Sequence, residues 1–232
     1  MRIEGSTALV TGANRGLGRR FAEALLLRGA TVYAAKRGPE LVGLPGVTPI
    51  QLDITDPESV AGAAAATGDV SLLINNAGSS TGASLLTGPL DDIRLEMETH
   101  SFGTLAVTRA FAPQLAAHGG GAILNVLSAL SWFSFPASGA YCAAKSAEWS
   151  LTNSIRQELA AQGTQVSALH VGYMDTDMTR HVSAPKSDPA AVAQQALDEL
   201  EAGHAEILAD ETSRQVRAAL SGGVGSLYPQ FA

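Results

Sequence analysis

The stretch Thr7-Ala8-Leu9-Val10-Thr11-Gly12-Ala13-Asn14-Arg15-Gly16-Leu17-Gly18 decides how the rest of the chain is read. Its first four residues form a short apolar run that ends at a glycine turn, the pattern of a buried strand. Residues 16–28 follow as a helix, with Leu17, Phe21, Ala24 and Leu25 on one face and Gly29 closing it. Between strand and helix stand Gly12, Gly16 and Gly18, spaced GxxxGxG. Glycines are required where a backbone turns sharply and lets a bulky anion come close. The helix start then offers free N–H groups and the positive end of its dipole. Glycines also mark ordinary turns. The place of this loop, after a first strand and before a first helix, makes it a pyrophosphate cradle of Gly12, Asn14, Arg15, Gly16, Leu17 and Gly18.

Outward from this loop, strand-like and helix-like segments alternate. Strands are predicted at 31–35, 50–53, 70–74, 122–127, 166–170 and 207–209. Helices are predicted at 57–66, 91–118, 141–162 and 189–202. Asp56 and Asp188 stand as caps, each followed by a proline suited to a first helical position. The tail from about residue 221 is Gly-rich and reads as irregular. Regular alternation implies an α/β fold of Rossmann type, a doubly wound parallel sheet with helices on both faces. Strands buried on both sides explain runs such as Ala8-Leu9-Val10. No linker or repeat divides the chain, so residues 1–232 are expected to form one domain.

Composition narrows the partners. The 232 residues are 46% hydrophobic and 16% charged, with a formal charge of −7. No Lys/Arg-rich run invites nucleic acid or an anionic membrane. The single cysteine, Cys142, and five scattered histidines argue against a metal site. No apolar run approaches the roughly 20 residues of a membrane span. The first strand begins near Ser6, so no leader is expected and the expected location is cytoplasmic.

The second strand selects among nucleotides. In the usual NAD-binding unit an acidic residue at its end holds the ribose hydroxyls. Here the strand ends Ala34-Ala35-Lys36-Arg37. A carboxylate there would repel a 2′-phosphate, whereas Lys36 and Arg37, with Arg15 from the glycine loop, would attract it. Three solvated surface charges are the plain alternative; a basic pair at this position favours NADP(H).

Further along stand Asp53, Asn75-Asn76-Ala77-Gly78, Ser128, Tyr141-Cys142-Ala143-Ala144-Lys145, and Gly172 followed by Thr176. With Thr11–Gly18, this ordered set resembles the short-chain dehydrogenase/reductase family along nearly the whole chain. Tyr141 and Lys145 lie four apart and share one helix face. A free tyrosine titrates near 10, and a nearby ammonium favours the phenolate. The resemblance implies that Tyr141 donates a proton in reduction and accepts one in oxidation. Lys145 would also bind the nicotinamide ribose, and Ser128 would hydrogen-bond the substrate oxygen. Asp53, with Ile54 beside it, would meet the adenine edge. Asn75, Ala77 and Gly78 would line the cofactor, as would Gly172, and Thr176 would bond the carboxamide.

Two places depart from the family pattern. Val171-Gly172 stands where Pro-Gly is usual, and His100 in Thr99-His100-Ser101-Phe102-Gly103 replaces a relay asparagine. His100 either relays protons, with Lys145 as its like-charged neighbour, or simply packs. Trp132, Phe133 and Phe135 follow Ser128, and either line an apolar or aromatic substrate pocket or pack inside. Cys142 reads as a small packing residue. The activity implied is hydride transfer between NADP(H) and a small carbonyl or alcohol substrate, with Ser128, Tyr141, Lys145 and His100 as the reactive set. A catalytically weak nucleotide-binding or regulatory protein is the alternative. The resemblance implies that the Ala- and Leu-rich helices around Phe102 and Trp149 pair two-fold, giving a homodimer or homotetramer.

Overall fold

Seven strands line up as one sheet: β1 (Thr7–Val10), β2 (Thr31–Lys36), β3 (Thr48–Gln51), β4 (Leu72–Asn75), β5 (Ala122–Val126), β6 (Gln165–His170) and β7 (Glu206–Leu208). Their order is β3-β2-β1-β4-β5-β6-β7, and every neighbouring pair is parallel. The computed structural model describes residues 1–38 and 43–231. The helices are α1 (Gly16–Leu27), α2 (Pro57–Thr67), α3 (Leu90–Met97), α4 (Thr104–Ala117), α5 (Gly139–Glu158), α6 (Pro189–Glu201), α7 (Glu211–Ala219) and α8 (Val224–Leu227). Among the described residues, no helix is long and apolar enough to cross a membrane.

Strand periodicity divides the core into two layers. Val10, Ile74 and Leu124 face Phe21 and Leu25 of α1 and Leu197 of α6. Leu9, Leu73 and Ile123 face Val60 of α2, Phe111 and Leu115 of α4, and Ile155 of α5. The predicted caps are present. Asp56 accepts from the Glu58 N–H and Asp188 from the Ala190 N–H, both at 3.0 Å. The chain runs from β1 to β2 and β3 on one side, then crosses to β4 on the other. Strand order therefore reverses between β1 and β4, and a crevice opens at their carboxyl ends.

Two expectations are corrected. The single helix predicted over 91–118 is three pieces, because Glu98–Gly103 is a π-helical turn between α3 and α4. Such a turn re-aims the residues it carries and recurs at functional sites; this one carries His100. The tail is not irregular. It carries α8 and folds back, with the Tyr228 ring stacked on Phe133 at 5.0 Å and its hydroxyl accepting from the Ser134 N–H at 2.8 Å. The segment before it also forms α7, which opens with a capping box of Asp210 and Ser213.

Candidate active site

The glycine loop is drawn too tight for side chains. Gly12 and Gly16 have φ of 66° and 54°, in the left-handed region. A Cβ on Gly18 would meet the Gly12 carbonyl oxygen at 2.4 Å, and one on Gly12 would meet the Ala77 Cα at 2.9 Å. Thr11 ties this loop to the one after β4: its hydroxyl accepts from the N–H groups of Asn76 and Ala77, both at 2.9 Å. The Asn76 amide returns a bond to the Thr11 carbonyl at 2.9 Å. Sequence reasoning favoured Asn75, Ala77 and Gly78 and passed over Asn76. Asn75 instead turns inward, donating to Asn125 at 2.8 Å and Thr108 at 3.2 Å.

The rest of the crevice assembles around this cradle. Leu17 is buried beneath it, while Asn14 and Arg15 are exposed at its rim. Thr176 stands opposite Gly16, and Arg15 meets Asp177 at 3.3 Å. Gly172 donates to Asp210 at 2.6 Å, a contact that fixes the loop after β6. A Cβ on Gly172 would crowd that same carboxylate at 2.9 Å. Lys36 ends β2 and Arg37 follows it, exposed; no carboxylate of the described chain takes the ribose-binding place there. Asp53 accepts from Thr55 N–H at 3.0 Å and so shapes its own turn, with Ile54 buried beside it. A backbone-lined cradle with a basic rim fits a dinucleotide carrying a 2′-phosphate.

The reactive side chains converge above β5. Ser128 follows that strand, its hydroxyl accepting from the Leu130 N–H at 3.1 Å, and its side chain is close enough to Tyr141 to favour the phenolate. Lys145 lies one turn along α5, its ammonium 5.9 Å from the centre of the Tyr141 ring. The ammonium donates to the Val126 carbonyl and to Glu148, each at 2.7 Å. Two of its three donors are thus engaged. Glu148 is buried and also accepts from the Thr104 hydroxyl at 3.0 Å. Burial works against the Lys145 ammonium, but Glu148 and Tyr141 outweigh it and hold its pKa above the ordinary value.

Here the expected tyrosine chemistry is corrected. Burial pushes the Tyr141 phenol up, Lys145 pulls it down, and Glu148 pushes it up again. Ser128 lowers it and Glu96 raises it; the net direction is up, not down. The sequence reading counted Lys145 alone and missed two buried acids.

His100 is likewise surrounded differently than expected. Its nearest charged neighbours are carboxylates: Glu96 lies 3.2 Å from Nε2 and Glu148 3.9 Å from Nδ1. Its ring meets Tyr141 edge-on at 5.1 Å. A Cβ on Gly78 would strike the ring at 2.8 Å, so that glycine makes room for it. Glu96 also accepts from the Ser79 hydroxyl at 2.8 Å and from the Thr81 N–H. Burial would raise this carboxyl, but bonds from His100, Thr81 and Ser79 hold it at about 2.

On the other side of Ser128 lies His170, which sequence reasoning also missed. It is stacked on Trp132, rings 3.7 Å apart, and its Nδ1 bonds the Ser128 carbonyl at 3.1 Å. Burial pushes it down to about 3 despite that bond, and the charges of Lys145, Arg217 and Arg156 add to the depression. Trp132 is therefore a core residue, also edge-on to Trp149 at 6.0 Å. Phe133 and Phe135 stay near the surface beside the tail. Burial pushes the Cys142 thiol up, consistent with a packing role.

A sequence profile described as short chain dehydrogenase matches residues 6–187. The chain belongs to the short-chain dehydrogenase family. It is 39% identical to a short-chain dehydrogenase of Burkholderia cenocepacia solved in complex with NADP, with a TM-score of 0.94 over 99% of this chain and 98% of that one. It is 31% identical to the 3-oxoacyl-(acyl-carrier-protein) reductase of Salmonella typhimurium, covering 79% of each chain. It is 34% identical to carbonyl reductase (NADPH) 2 of Sus scrofa, covering 82% of this chain and 79% of that one.

Proposed function

We propose that this short-chain dehydrogenase family member is an NADP(H)-dependent carbonyl reductase, with Tyr141 as the proton donor. One observation carries the reading: a Ser128–Tyr141–Lys145 cluster, with Ser128 and Lys145 buried and Tyr141 half-buried, sits beside a glycine cradle whose rim is basic. The NADP complex of the Burkholderia protein and the cofactor named for the pig reductase support the same nucleotide. Gly12, Asn14, Arg15, Gly16, Leu17 and Gly18 would hold the pyrophosphate. Lys36, Arg37 and Arg15 would meet the 2′-phosphate, for which Arg15 would leave Asp177. Asp53 and Ile54 would meet the adenine; Asn75 would support the wall formed by Ala77 and Gly78 from within. Gly172, Thr176 and the third donor of Lys145 would face the nicotinamide end. Bound there, NADPH supplies the hydride.

This chain's own residues do the rest. Ser128 and Tyr141 hold the substrate oxygen between two hydroxyls, which polarises the carbonyl as negative charge builds on it. Tyr141 passes its proton to that oxygen. Lys145, adjacent and charged, stabilises the phenolate left behind. A protonated tyrosine at neutral pH suits reduction better than oxidation, which needs the phenolate.

The test is NADPH and NADH oxidation against a panel of ketones, aldehydes and quinones, with both cofactors titrated by fluorescence. Each charge-assisted phosphate contact is worth about 1.5–3 kcal/mol, so NADPH should bind at least about tenfold tighter. Equal affinity for NADH and NADPH, or no turnover across the panel, would contradict the assignment.

A further inference from the structure

Glu148 has no part in the motifs that mark the site, yet it touches two of their residues. It is buried, with 2% of its surface exposed. One oxygen is braced by the Thr104 hydroxyl at 3.0 Å. The other, Oε2, lies 2.7 Å from the Lys145 ammonium and 3.9 Å from His100 Nδ1. That Nδ1 is buried without a hydrogen-bond partner. A polar atom in that condition is costly unless something uses it.

The opposite edge of the His100 ring is well supplied. Nε2 lies 3.3 Å from the Ser79 N–H, a donor. It also lies 3.0 Å from the Ser79 carbonyl and 3.2 Å from Glu96 Oε2, both acceptors. Either tautomer is therefore satisfied at Nε2, and the ring is free to carry its proton on Nδ1 or to surrender it. His100 and Glu96 are buried, while Ser79, which meets this edge, is partly exposed between exposed Gly78 and Ser80.

We propose that Glu148 is a positioning residue of the Tyr141–Lys145 pair, clamping the Lys145 ammonium and bridging proton transfer to it from His100. The proposal rests on the reading of Tyr141 as proton donor. The proton count balances. When Tyr141 has given its proton to the substrate oxygen, the phenolate takes one from the Lys145 ammonium. The Glu148 carboxylate takes one from His100 Nδ1 and passes it to the amine, ending ionised as it began. His100 takes one at Nε2, entering past Ser79, and ends in the other neutral tautomer, which must exchange back to the first before the next turnover. One proton enters at His100 for each that leaves at Tyr141. The 3.9 Å gap closes by a small side-chain rotation or through one water. The groups facing this line are Glu96 from α3, Tyr141, Lys145 and Glu148 from α5, and the Thr104 hydroxyl from α4.

The experiment compares wild type, Glu148→Gln, Glu148→Asp and Tyr141→Phe as intact proteins. The substrate probe is NADPH with whichever panel compound wild type reduces fastest. A second readout needs no substrate: NMR titration of Lys145, one of only three lysines. In Glu148→Gln, kcat should fall by about tenfold or more while the carbonyl KM moves less than about threefold, and the solvent deuterium isotope effect should rise. The Lys145 titration should move to lower pH, because burial then acts without its counter-charge. Glu148→Asp should recover part of both. Wild-type kcat in Glu148→Gln overturns the proposal whatever the titration shows. So does an unmoved Lys145 titration, or a fall in kcat that Glu148→Asp shares in full with no change in isotope effect. Substantial turnover by Tyr141→Phe overturns instead the reading of the site, and the Lys145 titration then decides on Glu148.

Discussion

His100 and His170 are buried to the same degree, at 1% and 0% exposure, and their surroundings are opposites. His170 has an aromatic face, one carbonyl and the cationic groups of Lys145, Arg217 and Arg156 around it. Burial there disfavours the charged ring, so His170 stays neutral and serves as a fixed donor beneath Ser128. His100 lies between two carboxylates and a backbone turn that can both give and accept. The same side chain at the same depth meets cations in one place and carboxylates in the other. What separates them is the charge packed around each. Each lies beside one hydroxyl of the site: His170 holds the Ser128 backbone, and the His100 ring meets Tyr141 edge-on.

The largest effect expected from this contrast is on acid stability at His170. Its folded pKa, about 3, lies below the ordinary 6.5. The unfolded chain therefore binds a proton below 6.5 that the folded chain refuses. The contribution is intact above pH 6.5 and is lost as pH falls toward 3, by about 5 kcal/mol in total. His170→Phe keeps the stack on Trp132 and cannot titrate. Urea denaturation should show it about 1 kcal/mol less stable at pH 7, for the lost bond to Ser128, but more stable than wild type near pH 4. Parallel stability curves across this range would mean that His170 is not buried neutral.

A smaller effect is expected on the other side, at Glu96. Its carboxyl is held at about 2, below the ordinary 4.5. That stabilisation is present above pH 4.5 and is lost as pH falls through 2, for about 3 kcal/mol. Glu96→Gln should be destabilised by that order at pH 7, and the gap to wild type should narrow steadily below pH 4.5. A gap that stays constant with pH would show that Glu96 acts by packing rather than by charge, and the contrast between the two histidines would lose half its basis.

The sheet was legible because each strand, and the helices α1, α2 and α6 between them, announce themselves within a dozen residues. Continuous apolar runs mark β4 and β5, and a proline after an aspartate marks α2 and α6. The glycine loop, Ser128, Tyr141 and Lys145 were equally local. What escaped reading depends on contacts between distant segments. The π turn at Glu98–Gly103 has no signature of composition, and it is this turn that places His100 over Gly78. Asn76 and Asn75 look equivalent in a string, but strand alternation sends one to the glycine loop and the other into the core. Glu148 stood three residues after Lys145 and Glu96 four before His100, spacings that put each pair on one helix face. The signal was present. An acid beside a base on a helix is usually a solvated pair, and only burial distinguishes these two from that.

The claim on which everything else depends is that Tyr141 gives the proton. Single-turnover measurement of NADPH oxidation by Tyr141→Phe, with the fastest panel substrate, addresses it directly. The ring and its packing against His100 remain, and only the transferable proton is removed. The account predicts NADPH affinity close to wild type and a rate of hydride transfer lower by about a hundredfold or more, the usual worth of a general acid. A Tyr141→Phe protein that transfers hydride within a few-fold of the wild-type rate would contradict it.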